Sequence, residues 1–257
     1  MILVHSSGLA FFQFPNLVRY PEIRHAVFTR EGGLSDGPYR SLNTSLSVGD
    51  DPAIVHENRR RISKCMDGGQ LVFIRQDHGK RTVLHARKVN AEPANHPADP
   101  QVGDAVVTDL NGKLLVVQVA DCQSLLLYDP CRKVVANVHS GWRGSVNNVV
   151  GHTVKTMERK MDCRPRDIIA GIGPSLGPCC AEFINYKREI PPKFWKYKDQ
   201  SHHFDFWSLS IAQLVESGVL HENIHLSKMC TKCNTAQFFS YRGEGKTGRF
   251  AAVIGLK

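Results

Sequence analysis

The chain has 257 residues, 42% of them apolar, and carries 33 Lys and Arg against 24 Asp and Glu for a net charge of +9. A chain this long hides roughly 70–75% of its extended surface without disulfide staples or an obligatory metal, and its composition excludes collagenous, coiled-coil and disordered classes. No window reaches the roughly 18–20 consecutive apolar residues of a membrane span, and Met1-Ile2-Leu3-Val4-His5 lacks the basic segment of a secretory signal. A cytoplasmic protein with no membrane partner is therefore expected. Its eight cysteines, at 65, 122, 131, 163, 179, 180, 230 and 233, then read as thiols, metal ligands or a catalytic thiolate rather than a bridge framework. The positive charge asks for anionic partners. The densest basic stretch, Arg59-Arg60-Arg61, falls on a predicted helix with no aromatic-interleaved stripe, so a phosphate-bearing small molecule is expected and nucleic acid is not.

No repeat, low-complexity tract or Ser/Gly linker divides residues 1–257, which read as a single domain. Asp51-Pro52 supplies an N-cap and a first-turn proline for a helix running to Cys65. Short strands are predicted at 71–74, 104–108, 114–119, 124–128 and 134–138, where apolar, β-branched runs are bounded by Gly, Asp and Pro. Ser145 is predicted to cap a helix with Val146, Val149, Val150, Val154, Met157 and Met161 on one face. A strand at 168–172 follows. A helix over 206–217 is capped by Asp205 and stopped by Gly218, with Trp207, Ile211, Leu214 and Val215 inward. Strands at 224–226 and 250–254 complete the pattern, which lacks strict βαβ alternation. The expected class is α+β, with mixed β-sheets flanked by helices.

Three predicted strand ends carry metal-capable side chains: Gln76-Asp77-His78-Gly79, Ala120-Asp121-Cys122 and His139-Ser140-Gly141-Trp142-Arg143-Gly144. His78, Cys122 and His139 would form a two-histidine, one-thiolate set, the three-ligand count that leaves tetrahedral Zn²⁺ one open position. Such a site lowers the pKa of a bound water to about 7. The ligands are 44 and 17 residues apart, so no compact local clip enforces them, and chance placement of single residues at strand ends stays open. Cys122 and His139 alone would instead make a thiolate nucleophile with its base.

A second group of residues is directed at anions. Arg30 lies in the turn 29–35, Asn43 closes the turn 38–43, and Arg143 stands at the start of a predicted helix. Arg242 and Arg249 flank a glycine-rich turn near the C-terminus. Any one of them taken alone reads as an ordinary surface group in a hairpin loop, and it is the recurrence beside glycine turns that points the group at an anion. Cys230-Thr231-Lys232-Cys233 has the spacing of a redox pair or of half a zinc clip, but no second Cys-x-x-Cys follows, and a structural or loop role is expected. Gly173-Pro174-Ser175-Leu176-Gly177-Pro178-Cys179-Cys180 reads as a rigid loop, either a pocket wall or a tight turn.

Assembled in order, these pieces resemble one family. They are Phe28-Thr29-Arg30-Glu31-Gly32-Gly33, Gly37-Pro38-Tyr39, Ser41-Leu42-Asn43, Gln76-Asp77-His78-Gly79, the stretch from Gly103-Asp104 to Thr108, Ala120-Asp121-Cys122, His139 to Gly144, Gly173-Pro174-Ser175, Gly177-Pro178-Cys179-Cys180, Phe239-Ser240-Tyr241-Arg242 and Thr247-Gly248-Arg249. Together they are similar to the YfiH family of laccase-domain proteins, also called polyphenol oxidases or peptidoglycan editing factors and now viewed as purine nucleoside phosphorylases. The likeness runs from about residue 25 to 255. It implies a CNF/YfiH-like fold and a zinc site at His78, Cys122 and His139. It also implies phosphorolysis of adenosine, inosine and methylthioadenosine, together with deamination of adenosine. The chain departs from the family where Asp77 stands in place of the usual Val and Ser140 in place of the usual Ala. A copper laccase is disfavoured, because a trinuclear cluster draws on His-x-His pairs and this sequence has none.

On this reading the partners are a purine nucleoside and phosphate, the cofactor is Zn²⁺ with copper less fitting, and the assembly is a monomer or homodimer. The residues expected at the chemistry are Cys122, His139, Asp121 and Arg143, with Asp121 as a neighbouring acid. Arg30, Asn43, Arg143, Arg242 and Arg249 are expected to hold phosphate or ribose. Two rivals remain: a cysteine hydrolase or amidase using Cys122 and His139 on a cell-wall precursor, and a non-enzymatic, zinc-stabilised binding protein.

Overall fold

The computed structural model describes residues 1–87 and 100–257. The chain opens with β1 (Ile2–Ser6), β2 (Leu9–Gln13) and β3 (Ile23–Phe28), followed by α1 (Pro52–Cys65) and β4 (Gln70–Phe73). Next come β5 (Thr82–His85), β6 (Ala105–Thr108), β7 (Lys113–Val119), β8 (Gln123–Asp129) and β9 (Val134–Ser140). The second half holds α2 (Trp142–Val146), α3 (Val149–Met161), β10 (Ile169–Ile172), α4 (Tyr186–Glu189), α5 (Phe206–Glu216), β11 (Ile224–Leu226), α6 (Tyr241–Glu244) and β12 (Phe250–Leu256). Among the described residues no helix is long and apolar enough to cross a membrane.

Two six-stranded mixed sheets result, in the orders β1-β2-β3-β12-β7-β4 and β11-β10-β8-β9-β6-β5. The edge strand β4 runs parallel to β7, and β5 and β11 run parallel to β6 and β10. The other pairings are antiparallel. Strand periodicity explains how the sheets stack, because alternate side chains leave opposite faces. Leu115, Val117 and Val119 of β7 and Phe250, Ala252 and Ile254 of β12 point at Leu126 and Tyr128 of β8 and Val135 of β9, forming the core between the sheets. Their neighbours point outward. Leu114, Val116, Ala251 and Val253 pack on Ile62 of α1 and on Met66. Leu125, Leu127, Val134, Ala136 and Val138 pack on Val150, Val154 and Met157 of α3 and Leu214 of α5. The central strands are thus covered on both faces, so they read as continuous apolar runs rather than alternating ones.

One polar residue crosses between the sheets. Asn137 of β9 is fully buried and its Nδ2 donates to the carbonyls of Leu115 and Ala252, at 2.9 and 2.8 Å. Replacing it by Ala removes both bonds and opens a small void, so Asn137→Ala is expected to cost about 2 kcal/mol. Urea denaturation would show this as a lower midpoint with an unchanged slope.

The helix ends follow their sequence signals with one exception. Asp51 accepts from Ala53 N at 2.8 Å and Asp205 from Ser208 N at 2.9 Å, as expected of N-caps. The helix expected from Ser145 is two helices, and the cap of the longer one is Asn148, in the left-handed region at φ 55°, with Oδ1 accepting from Gly151 N at 2.9 Å. Asn tolerates that conformation better than most residues, so the pair Asn147-Asn148 breaks the helix. Ser145 instead places its Oγ 3.0 Å from that of Ser140. Val215, expected inward, is exposed, because the buried face of α5 passes through Leu209, Ser210, Gln213 and Leu214. Strands β1, β2, β3 and β5 had no counterpart in the sequence reading.

Candidate metal centre and binding cavity

Three chain turns meet at the ends of β4, β7 and β9. Cys122 sits in the turn between β7 and β8, half-buried, and His139 is the penultimate residue of β9, buried. His78 lies in the exposed turn after β4, in the left-handed region at φ 61°. Their ligand atoms all lie within 4.8 Å of one another. Cys122 Sγ is 3.9 Å from His78 Nε2, and the two imidazole rings meet edge to face with centroids 4.9 Å apart. Around a tetrahedral ion, with metal–nitrogen bonds of about 2.0–2.1 Å and metal–sulfur bonds of about 2.3 Å, ligand atoms stand about 3.3–3.6 Å apart. Cys122 Sγ and His78 Nε2, at 3.9 Å, stand a few tenths of an ångström beyond that separation.

Asp104, just before β6, holds this arrangement together. Its buried carboxylate accepts from His78 N at 3.0 Å, from Gly79 N at 2.6 Å and from His139 Nδ1 at 2.7 Å. With Nδ1 engaged, His139 presents Nε2 as its ligand atom, the usual arrangement at a metal-binding histidine. The backbone closes the other side. A Cβ at Gly141 would stand 2.9 Å from His78 Cδ2 and 3.0 Å from Cys122 Sγ, so a glycine is required for the imidazole and the thiol to meet there. In sequence, Asp104 stands as the first residue of a predicted strand and within a family motif, with no role at the site. The signal that could have found it is an ionisable residue opening an otherwise apolar buried strand.

The electrostatics follow from this packing. Burial alone would raise the Cys122 thiol, but the charge on His139 and hydrogen bonds to His139 and His78 outweigh it and bring the pKa to about 6. Burial alone would lower His139, yet the Cys122 thiolate and the Asp104 carboxylate lift it to about 9. Asp104 itself is held well below the carboxylate range: burial opposes this, and hydrogen bonds from His139 and Asp77 prevail. Without metal the site is thus a thiolate–imidazolium pair across neutral pH. In metal-stripped protein, alkylation of Cys122 by iodoacetamide is expected to rise with pH through a midpoint near 6, read by peptide mass mapping. Cys163, whose thiol burial pushes up, should stay unlabelled over the same range.

The three side chains line a cleft of about 740 Å³. Four arginines, Arg59, Arg75, Arg242 and Arg249, stand on its walls. Arg249 is half-buried, and its Nη1 donates to the carbonyls of Thr247 and Gly248 at 3.0 and 2.9 Å. Arg59 donates Nε to the Thr44 carbonyl at 2.8 Å and stacks 3.9 Å from the Phe73 ring centroid. Burial lowers its pKa to about 10, still charged at neutral pH. Among the described residues neither Arg59 nor Arg249 has a carboxylate within salt-bridge distance, so their charge is available to an anion. In sequence, Arg59 belongs to the densest basic stretch, on a predicted helix, and is not among the residues expected at the site. Its position four residues after the buried Val55 places it on the inner face of α1.

The other expected residues lie as follows. Asp121 lines the cleft, at φ 84°, and its carboxylate is committed to the fold: Oδ1 accepts from Thr231 Oγ1 at 2.6 Å and Ser240 Oγ at 2.7 Å, and Oδ2 from Arg242 N at 2.6 Å. Arg143, Arg30 and Asn43 are not on the cleft wall. Arg143 is exposed and stacks over Trp142 at 4.4 Å. Arg30 pairs with Glu244 at 2.8 Å and lies over Phe239 at 4.4 Å. Asn43 is fully buried and accepts from Arg249 N at 2.9 Å, which places Arg249 without reaching the cleft.

Residues 24–257 match the family described as multi-copper polyphenol oxidoreductase laccase. The chain belongs to this family, the YfiH family. It is 34% identical over 243 residues to a protein of Geobacillus stearothermophilus named purine nucleoside phosphorylase YlmD, covering 89% of this chain and 88% of that one. It is also 34% identical over 258 residues to a purine nucleoside phosphorylase of Deinococcus radiodurans, covering 97% and 94%. The crystal structure of YlmD from Geobacillus stearothermophilus superposes with a TM-score of 0.86 at 31% identity, over 100% of this chain and 99% of that one. Asp77 and Ser140 both lie beside the centre, each next to one of the two histidines. Asp77 accepts from Gly79 N at 3.1 Å, and a hydrogen bond to Asp104 raises its pKa. Ser140 meets Ser145 as described above.

Proposed function

We propose that this chain is a zinc-dependent purine nucleoside phosphorylase that also deaminates adenosine. The observation that carries this reading is the juxtaposition, in one cleft, of a two-imidazole, one-thiolate set with arginines that have no carboxylate partner among the described residues. The names of the relatives support it. The donor set suits Zn²⁺ with one open position. It is also the equatorial set of a blue-copper site, but no methionine, the usual weak axial ligand, is among the described residues lining the cleft. His78, Cys122 and His139 would hold the ion, which when bound supplies Lewis-acid charge and an activated oxygen nucleophile.

The chain's own residues would then do the following. Phe73, Trp142, Phe183, Phe206 and Tyr241 line the cleft and give a purine base apolar surface and ring faces to stack on. Arg249 and Arg59, assisted by Arg242, orient phosphate so that one of its oxygens faces C1′. As the bond from C1′ to the base nitrogen breaks, the phosphate oxygen forms a bond to C1′, and the electron pair leaves on the base, which takes up a proton. The fixed guanidinium charges hold the phosphate dianion while the ribose becomes cationic. Arg249→Ala is expected to raise the KM for phosphate at least tenfold, with a smaller effect on the KM for nucleoside. Steady-state assays with each substrate varied would read this split.

Incubating the protein with adenosine or inosine and phosphate, then separating adenine, hypoxanthine and inosine by chromatography, tests the reading directly. Phosphate-dependent release of free base, lost on chelation and restored by zinc, is the expected result. A cysteine-hydrolase reading rests on one observation, the order Cys122, His139, Asp104, which has the geometry of a nucleophile, base and orienting carboxylate. It predicts turnover that survives chelation and ends with iodoacetamide. Metal binding with no turnover on any nucleoside would instead indicate a zinc-stabilised binding protein.

A further inference from the structure

A second cluster of metal-capable side chains lies apart from the first. The loop after β10 brings Cys179 and Cys180 to the turn that carries Cys230 and Cys233, and all four sulfurs lie within 4.8 Å of one another. Cys233 Sγ is 3.7 Å from Cys179 Sγ and 3.6 Å from Cys180 Sγ. These distances are far longer than the roughly 2.05 Å of a disulfide. They match the edge of a zinc tetrathiolate, about 3.8 Å when each bond to the ion is about 2.3 Å. We propose that Cys179, Cys180, Cys230 and Cys233 form a closed, structural tetrathiolate zinc site, distinct from the centre at His78, Cys122 and His139.

Local backbone geometry supports the assignment. Cys230-Thr231-Lys232-Cys233 wraps in a helical turn, with Thr231 at φ −63° and ψ −41° leading into a 3-10 turn over Lys232–Asn234, the tight loop that two ligands of one ion require. Gly177 N donates to Cys230 Sγ at 3.3 Å, the contact that stabilises a thiolate. A Cβ at Gly177 would stand 3.0 Å from Cys230 Cβ and 2.9 Å from Trp207 Cη2, so glycine permits this approach. As free thiols, Cys179 and Cys180 are poorly placed to ionise. Burial first, and neighbouring thiols second, push both up, Cys179 to about 11. A divalent cation reverses that balance. Binding releases four protons and leaves the four thiolates and the ion with a net charge of −2. Lys232 lies within the ligand loop, and Arg242 Nη1 approaches the Cys180 carbonyl at 3.5 Å, so cationic groups stand close by.

The site would have a mechanical role. Leu176 N donates to the Asp121 carbonyl at 2.8 Å, and Thr231 Oγ1 donates to its carboxylate. An ion joining their two segments would fasten the turn next to Cys122 from both sides, and with four ligands it leaves no position for substrate.

The experiment is a metal count on the intact, reduced chain, by mass spectrometry of the native protein and by titration with Zn²⁺ and Co²⁺. The wild type is expected to bind two ions per chain, and Cys122→Ala is expected to keep one. In Cys122→Ala, Co²⁺ should give the sulfur-to-cobalt charge-transfer band and intense visible absorption of a tetrahedral tetrathiolate. The double variant Cys230→Ser, Cys233→Ser should lose that signal. If the double variant does not fold, the measurement on Cys122→Ala alone decides. Loss of all metal from Cys122→Ala would overturn the proposal. So would a mass showing that these cysteines remain paired as disulfides after reduction and exposure to zinc. If the wild type binds a single ion that survives Cys122→Ala, the tetrathiolate site stands and the zinc assignment at Cys122 fails.

Discussion

Cys122→Ala is expected to abolish phosphorolysis, with kcat/KM falling by about a thousandfold or more and one equivalent of zinc lost per chain. The magnitude follows from the several kcal/mol that a catalytic ion contributes to stabilising developing charge, at 1.36 kcal/mol for each tenfold in rate. The two remaining imidazoles supply too few ligands to keep the ion. The fold should persist, because the anchor of that turn is the neighbouring Asp121 carboxylate with its three donors. Circular dichroism and the thermal midpoint would confirm this, while metal analysis and a chromatographic assay read the loss. Full turnover with normal zinc content would remove Cys122 from the site.

Asp104→Asn is expected to weaken metal binding at the same centre by about 10–100-fold, the range for residues that orient metal-ligating histidines. The substitution preserves shape and changes one acceptor oxygen to an NH₂ group. Three donors, His78 N, Gly79 N and His139 Nδ1, converge on that carboxylate, so at least one then faces another donor. The lost negative charge also removes part of what lifts His139 to about 9. A less basic imidazole supports the Cys122 thiolate less well. In metal-stripped Asp104→Asn the alkylation midpoint of Cys122 should therefore move above the value of about 6 expected for the wild type. Competition with a chromophoric chelator reads the first effect and pH-dependent labelling the second. An unchanged metal affinity would mean that Asp104 is only a structural acceptor.

The chemistry-bearing turns were legible in the sequence because each joins a metal-capable side chain to a glycine or aspartate at the end of an apolar run, as at His78-Gly79, Asp121-Cys122 and His139-Ser140-Gly141. Spacing could not show that they converge. That depends on β7 and β9 lying in different sheets that pack face to face. The arginines were harder to sort. Arg143 and Arg249 look alike in sequence, each beside a glycine, yet one lies outside the cleft over Trp142 and the other is held at its wall by the buried Asn43. β2 escaped notice because its apolar run, Leu9-Ala10-Phe11-Phe12, holds none of the β-branched residues that marked the other buried strands. β1 escaped because it is an almost fully exposed edge strand. Cys179-Cys180 did not suggest a partner for Cys230 and Cys233, since an adjacent pair fifty residues upstream lacks the usual ligand spacing.

The three ligands of the first centre differ in how firmly the backbone holds them. His139 belongs to a strand bonded on both sides, to β8 and β6, and buried on both faces. His78 hangs from a solvent-facing turn whose link to the chain just before β6 is the Asp104 carboxylate. Capture and release of an ion held there would therefore be ordered events: the rigid strand would give a fixed first point of attachment, and the exposed imidazole would close last and open first. The rate at which a chelator empties a metal-loaded centre is then expected to be set at His78 and to leave the sheets untouched. Amide exchange at 78 and 79 should quicken as the ion departs while exchange at 139 stays slow.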